Sequence, residues 1–429
     1  MALAALFIAL FVMLLLGFPI YIALTGASLL YVLLNEHLSF MIAIQRMVAA
    51  PNSFTLLAVP FFILAGQIMN NGGVTTRIFR FAKSCVGHLR GGRGYVNVVS
   101  SIIFAGMSGS ALADAGGLGM VEIEAMRREN YDEDFSIGVT AASSIIGPII
   151  PPSIPFVIYG AVAGVSIGGL FIGGVLPGLI MATALFLMVF FVSRKRRYPV
   201  TKRATPGEIV RTFGSSFLAL LTPLVIIGGI WGGFFTPTEA AFISIVYALL
   251  ITVFVYRDQG LDAIPKLIMD TVRVVAPAIM IVSAANLFGW ILNYENVDRY
   301  LVNFLFGIST NRYVILLVIN LLLLVLGMFL EVVSAIMLLL PILGPVVELL
   351  GIHPIHFGII LVVNLMIGLL TPPVGFVLYV LASATRNPVA DVIRFILPWV
   401  IPLLIALILI TLFPAITLWL PTVAGFVVR

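Results

Sequence analysis

The sequence predicts an all-α polytopic membrane protein with inverted structural repeats, two re-entrant hairpins and two broken helices. Three observations lead there. The 429 residues are 61% hydrophobic and only 10% charged, with a mean hydropathy of +1.19, more apolar sequence than a soluble core can absorb. Lys and Arg gather in a few short loops. One pattern of Gly and Pro residues recurs at a constant spacing.

Taken in order, apolar runs place helices at about 2–16, 18–35 and 54–71. The first has no basic leader and no small-residue cleavage pattern, so it reads as a span rather than a removed signal. A hairpin follows at about 94–126. Its tip is Gly106-Met107-Ser108-Gly109-Ser110-Ala111-Leu112-Ala113-Asp114-Ala115-Gly116-Gly117-Leu118-Gly119. The apolar run before it, Tyr95 to Met107, has 13 residues, or roughly 20 Å of helix against a bilayer core of about 30 Å. Arg90 and Arg93 precede the unit and Arg127 and Arg128 follow it, so the chain enters and leaves on one charged side. Irregular backbone at membrane depth survives only where protein or a wet cavity covers it.

A long segment at 135–165 is interrupted near Gly147-Pro155, and a span at 170–192 precedes a polar connector to about 215. Spans at 217–234, 238–256 and 276–293 follow, then a second hairpin at about 312–349. A second interrupted segment covers 353–384, broken near Gly368-Gly375, and a terminal span starts at about 391. Segments 38–50 and 261–275 are too polar to cross and are expected along the interface.

Threading these elements puts loops 77–93, 127–134, 194–211, 257–273 and 386–394 on one side, with 19 of the 23 Lys and Arg. Only Arg46, Arg299, Arg312 and Arg429 fall on the other. The bias assigns the first group to the cytoplasm and both termini to the outside. The formal charge of +5 resides in these loops, without a basic face, which argues against nucleic-acid binding. The single Cys85 excludes an intramolecular disulfide framework.

Gly106-Met107 recurs as Gly327-Met328, Gly147 as Gly368, Pro151-Pro152 as Pro372-Pro373, and Leu176-Pro177 as Leu397-Pro398, all at an offset of 221. By the topology above, the two copies start on opposite sides of the membrane. That is the inverted-repeat plan of secondary transporters, with a site at the midplane between broken helices. In each break, proline removes a backbone donor and glycine permits the turn. Carbonyls freed there suit a desolvated sodium ion, and the adjacent half-helix N-termini suit a carboxylate.

Single residues carry further expectations. Glu331 lies at the far point of the second hairpin, where an unpaired acid costs several kcal/mol and marks function by default. Asp114 is either functional or a cap of the second arm of hairpin one. Asn364, opposite Ser143 in the repeat, either bonds the break or clamps two helices. His353 and His356 read as a loop rather than a metal site. Glu122 and Glu124 with Arg127 and Arg128 read as a solvated helix end, and Trp231, Trp290, Trp399 and Trp419 mostly suit an interfacial belt. An intramembrane serine hydrolase would need a base beside Ser108 or Ser110, and no histidine lies near membrane depth. A channel would be occluded by two opposed dead-end hairpins.

Phe104-Ala105-Gly106-Met107-Ser108-Gly109-Ser110-Ala111-Leu112-Ala113-Asp114 is similar to the first-hairpin signature of the large membrane subunit of TRAP transporters (tripartite ATP-independent periplasmic transporters). Phe235-Thr236-Pro237-Thr238-Glu239-Ala240-Ala241 and Gly368-Leu369-Leu370-Thr371-Pro372-Pro373-Val374-Gly375 resemble two more of its motifs. The resemblance implies a sodium-driven elevator importer in the bacterial inner membrane. Its partners would be a separate small membrane subunit and a periplasmic substrate-binding protein that delivers an organic acid. It implies scaffold over 1–53 and, with the connector, 193–275, and transport-domain repeats over 54–192 and 276–429. Carried over by motif, one sodium would sit among Ser108, Ser110, Gly147, Ile150 and Pro152. A second would sit among Gly327, Met328, Glu331, Gly368, Thr371 and Gly375. The substrate would lie near Ser110, Ser153 and Glu331. Ala-Asp-Ala-Gly-Gly-Leu-Gly looks most like the sialic-acid branch, with a C4-dicarboxylate as the alternative.

Overall fold

The computed structural model describes residues 2–309 and 311–427, so Arg429 lies outside the described residues. These are helical, with no strand among them. Helices α1 (Ala2–Leu15) and α2 (Ile20–Leu34) pack against each other, followed by α3 (Phe40–Ala49), capped by Ser39, and α4 (Ala58–Asn71). Helix α5 (Val74–Val86) forms where a loop was expected. Val74, Ile78 and Ala82, spaced by four, bury one face of it while its basic residues stay outside that face.

Hairpin one is α6 (Gly92–Ser108), a tip at Gly109-Ser110, and a second arm of α7 (Ala111–Ala113), a π turn (Asp114–Leu118) and α8 (Gly119–Arg128). The first broken helix is α9 (Glu133–Ser144) and α10 (Ile154–Ala163), followed by α11 (Ile167–Lys195). Helix α12 (Pro206–Trp231) starts eleven residues before the expected span. A capping box explains the early start. The Glu208 N–H donates to Thr205 Oγ1 at 3.2 Å, and the Thr205 N–H donates to Glu208 Oε2 at 2.8 Å. The same box at Thr236 and Glu239 starts α13 (Pro237–Leu249).

A second correction concerns 261–275, which does not lie separately along the interface. It joins the following span in α14 (Ile264–Tyr294), 31 residues long with Pro277 inside. Burial of Leu267 and Thr271, with Thr271 Oγ1 3.1 Å from Gln67 Oε1, holds this extension against α4. At about 46 Å it exceeds the bilayer core and must tilt or project.

Helix α15 (Val297–Ile308) precedes hairpin two, which is α16 (Arg312–Gly327), a tip at 328–331, and α17 (Val332–Leu349). The second broken helix is α18 (Pro354–Gly368) and α19 (Phe376–Thr385). Helix α20 (Val389–Leu412) and a short α21 (Ala415–Val423), which folds back onto α11, complete the described fold. Seven of the described helical segments are long and apolar enough to cross a membrane.

The two first halves of the broken helices are the most enclosed elements. Every residue of α9 from Phe135 to Ser144 is buried, as is every residue of α18 from Ile355 to Gly368. Polar side chains there must find partners, because an unsatisfied polar group is costly in a dry interior. Ser143 Oγ donates to Asn97 Oδ1 of α6 at 2.6 Å. In the other unit, Asn364 Nδ2 donates to Asn320 Oδ1 of α16 at 2.7 Å, and Asn320 Nδ2 reaches Thr411 Oγ1 of α20 at 3.3 Å. Asn364 is therefore a clamp between helices. Asn364→Ala, by stranding the Asn320 carbonyl oxygen, is expected to cost about 1–3 kcal/mol. A lowered melting temperature of the detergent-solubilised protein would register the loss.

Candidate functional site

Each hairpin tip meets its own break. In hairpin one, Gly109 takes φ +56°, and a Cβ there would lie 2.5 Å from the Pro152 carbonyl oxygen, so only glycine allows the approach. In hairpin two, the Gly375 N–H donates to the Met328 carbonyl at 3.1 Å. A Cβ at Gly368 would lie 2.6 Å from the Gly327 carbonyl carbon. The structure thus brings Ser108 and Ser110 to the turn holding Gly147, Ile150 and Pro152. It likewise brings Gly327 and Met328 to the turn holding Gly368 and Gly375. Both breaks carry a cis Pro–Pro peptide, at Pro151-Pro152 and Pro372-Pro373.

The units also interlock. Helix α10 packs on α17, and α19 packs on α7 and the π turn. Each second half-helix therefore lies against the other unit's hairpin. On the side with the basic loops, Arg127 pairs with Glu133 and donates to the Thr385 carbonyl at 3.3 Å. Asn387 Nδ2 donates to Glu133 Oε1 at 2.8 Å. Arg196, from the Arg-rich connector, pairs with Asp132 and Asp134 at the start of α9. The adjacent guanidinium groups hold the Glu133 and Asp134 carboxyls below the usual carboxylate range.

The second arms are capped by residues at equivalent positions, since 331 − 110 is the same 221 that relates the other pairs. Ser110 Oγ accepts from the Ala113 N–H at 3.4 Å. Glu331 Oε2 accepts from the Val333 and Ser334 N–H groups at 2.9 and 3.2 Å. Asp114 caps nothing. It is buried at the start of the π turn, with Oδ2 unpartnered, because Ser110 already occupies the cap position.

Packing places the remaining residues singled out above. Ser153 is fully buried, and its hydroxyl serves the first break by donating to the Pro148 carbonyl and accepting from the Phe156 N–H at 3.2 Å. Glu124 is solvated and pairs with Arg128, but Glu122 is only 2% exposed. Trp399 is buried against Phe135 rather than in a belt, since α20 packs on α9. His353 caps α18 from the end of the preceding loop, whereas His356 departs from the loop reading, being buried within α18 with Nδ1 2.7 Å from Thr417 Oγ1. No cluster of three or more His, Cys, Asp or Glu suited to a metal occurs among the described residues.

A cavity of about 850 Å³ opens among α3, α10, α14, α17 and α18. Arg46 stacks over Trp290 at 5.5 Å within it, with Asn286, Asn293 and Glu348 as further polar groups. None of the expected site residues lines it. Of its lining residues on α17, the one nearest Glu331 in sequence, Met337, is six residues beyond it, or about 9 Å along the helix.

Over residues 7–416 the chain matches the family model described as tripartite ATP-independent periplasmic transporter, DctM component. It is 46% identical over 405 residues to the sialic acid TRAP transporter large permease protein SiaM of Vibrio cholerae, covering 94% of this chain and 95% of that one. It is 39% identical over 372 residues to the C4-dicarboxylate TRAP transporter large permease protein DctM of Pseudomonas aeruginosa, covering 87% of each. Among solved structures, the YdaH transporter of Alcanivorax borkumensis aligns over 88% of each chain with a TM-score of 0.65 at 14% identity, a likeness of fold alone.

Proposed function

The chain belongs to the DctM component family of tripartite ATP-independent periplasmic transporters, and from that premise we propose that it imports a carboxylate driven by sodium. It is a multi-pass transporter permease rather than an enzyme. The observation that carries the proposal is the duplicated contact of tip and break, through Gly109 with Pro152 and Met328 with Gly375. Backbone carbonyls and hydroxyls concentrated at two such junctions form the hard oxygen donor sets that sodium accepts.

In this reading, Ser108, Ser110, Gly147, Ile150 and Pro152 hold one sodium. Gly327, Met328, Glu331, Gly368, Thr371 and Gly375 hold the second. The substrate carboxylate lies between, near Ser110, Glu331 and the α10 N-terminus that Ser153 caps. Segments 54–192 and 276–429 are inverted repeats that move as a transport domain past a scaffold of 1–53 and 193–275. The chain sits in the inner membrane with both termini outside. A small membrane subunit braces the scaffold, and a periplasmic binding protein supplies the substrate. Sialic acid is the favoured substrate, because the relative named for it is the more similar of the two compared above. A thermal-shift screen of the cognate binding protein against sialic acid and C4-dicarboxylates separates the two.

The energetics are sufficient. Each charge crossing 100 mV contributes about 2.3 kcal/mol, so two sodium ions carrying a monoanion gain roughly that much from the potential alone. Proteoliposomes containing the chain, its small subunit and loaded binding protein are expected to take up substrate with external sodium and to lose uptake when potassium replaces it. Equal uptake in potassium would refute the coupling.

A further inference from the structure

The second arm of hairpin one carries a carboxyl that the proposed transport site does not use. Glu122 is 2% exposed, and neither of its carboxyl oxygens has a hydrogen-bond partner. Ser100 faces it from α6, fully buried, with a hydroxyl that is also unpartnered. The π turn accounts for the inward placement. Two α-turns hold about 7.2 residues, and the extra residue of a π turn raises this to about eight. Glu122 therefore falls on the same buried face as Asp114, eight residues earlier, while Glu124 points outward to Arg128.

The charged groups facing Glu122 are Asp114 on its own arm and Arg93 on α6. Arg93 is paired with Glu129, its Nε donating to Oε2 at 2.7 Å and its Nη2 to Oε1, while its buried Nη1 bonds neither Glu122 nor any other group. The acids at the start of α9, Glu133 and Asp134, are held by Arg127 and Arg196. Elsewhere α9 presents the uncharged Thr140 to Gly119 of this arm. An ionised Glu122 would be a negative charge in excess, out of reach of water, which a dry interior strongly disfavours.

We infer that Glu122 is a proton-binding site within hairpin one, neutral when the two arms are packed and donating its O–H to Ser100. Loss of the proton places an uncompensated charge between the arms, which only water or a cation entering between them can relieve. The hairpin then loosens and its tip withdraws from the first break. The sign follows from linkage: the packed state keeps a proton that a solvated glutamic acid gives up, so its stability falls as pH rises. The effect on uptake rests on the transport reading above, but the spectroscopic test does not.

Infrared spectra of the full chain in lipid at about pH 7 are expected to show a protonated-carboxyl C=O band that is sensitive to deuterium exchange. Glu122→Gln should remove that band while retaining uptake, and should flatten the wild-type fall in melting temperature and uptake as pH rises above the usual carboxylate range. If the glutamine variant does not assemble, Glu122→Asp should shift the band. A wild-type spectrum without the band overturns the assignment. So does a band unchanged in either variant, or an identical pH dependence in Glu122→Gln. Sodium-independent uptake with the band intact would count against the transport reading alone.

Discussion

Glu331→Ala is expected to abolish sodium-driven uptake while the chain still reaches the membrane and pairs with its small subunit. Two losses combine. The carboxylate caps α17 through the Val333 and Ser334 N–H groups, and removing a cap costs about 0.5–2 kcal/mol. The same substitution also removes the one formal negative charge in the proposed second sodium site. Glu331→Ser separates these effects, because serine is the residue that caps hairpin one at the equivalent position, Ser110. The serine variant should keep the wild-type melting temperature and still fail to transport. Full uptake by Glu331→Ser would reduce Glu331 to a cap. Ser110→Ala should also lose uptake, and full transport by both Ser110→Ala and Glu331→Ala would remove the site assignment but leave the fold.

The second large effect is expected at Gly368. A Cβ there would sit 2.6–2.8 Å from three backbone atoms of Gly327, and backbone has no rotamer with which to yield. Overpacking of this kind typically costs about 1–3 kcal/mol, and the cheapest relief is withdrawal of the second tip from its break. Gly368→Ala should therefore lower the melting temperature and eliminate uptake together. Gly344→Ala is the matched control, since the nearest atom to its added carbon is 4.0 Å away; it should behave as wild type. Normal uptake by Gly368→Ala would show that the close contact of Gly327 with Gly368 is dispensable.

Much of this arrangement was legible along the chain. The helices α6 to α10 and α16 to α19 lie within a few residues of the bounds that the apolar runs predicted, because Gly, Pro and apolar runs act locally. Two boundaries were missed despite a local signal. The Thr205-Glu208 capping box announces α12, and the four-residue spacing of Val74, Ile78 and Ala82 announces α5. Continuity of α14 through Pro277 was not legible, because a proline interrupts a helix unless neighbouring elements hold both flanks, as α4 does before it through Gln67 and α3 does after it through the Arg46 carbonyl that Asn286 bonds.

By itself, the sequence determined the class, the order of elements and the repeated Gly/Pro unit, since hydropathy and backbone permissiveness are properties of each residue and its near neighbours. Only the tertiary structure decided that Ser110 and not Asp114 caps hairpin one, that Glu122 turns inward while Glu124 stays in solvent, and that each tip meets its own break. Those outcomes depend on burial, and burial is imposed by helices distant in the chain. The same carboxyl is a solvated end or a dry proton site according to what packs over it.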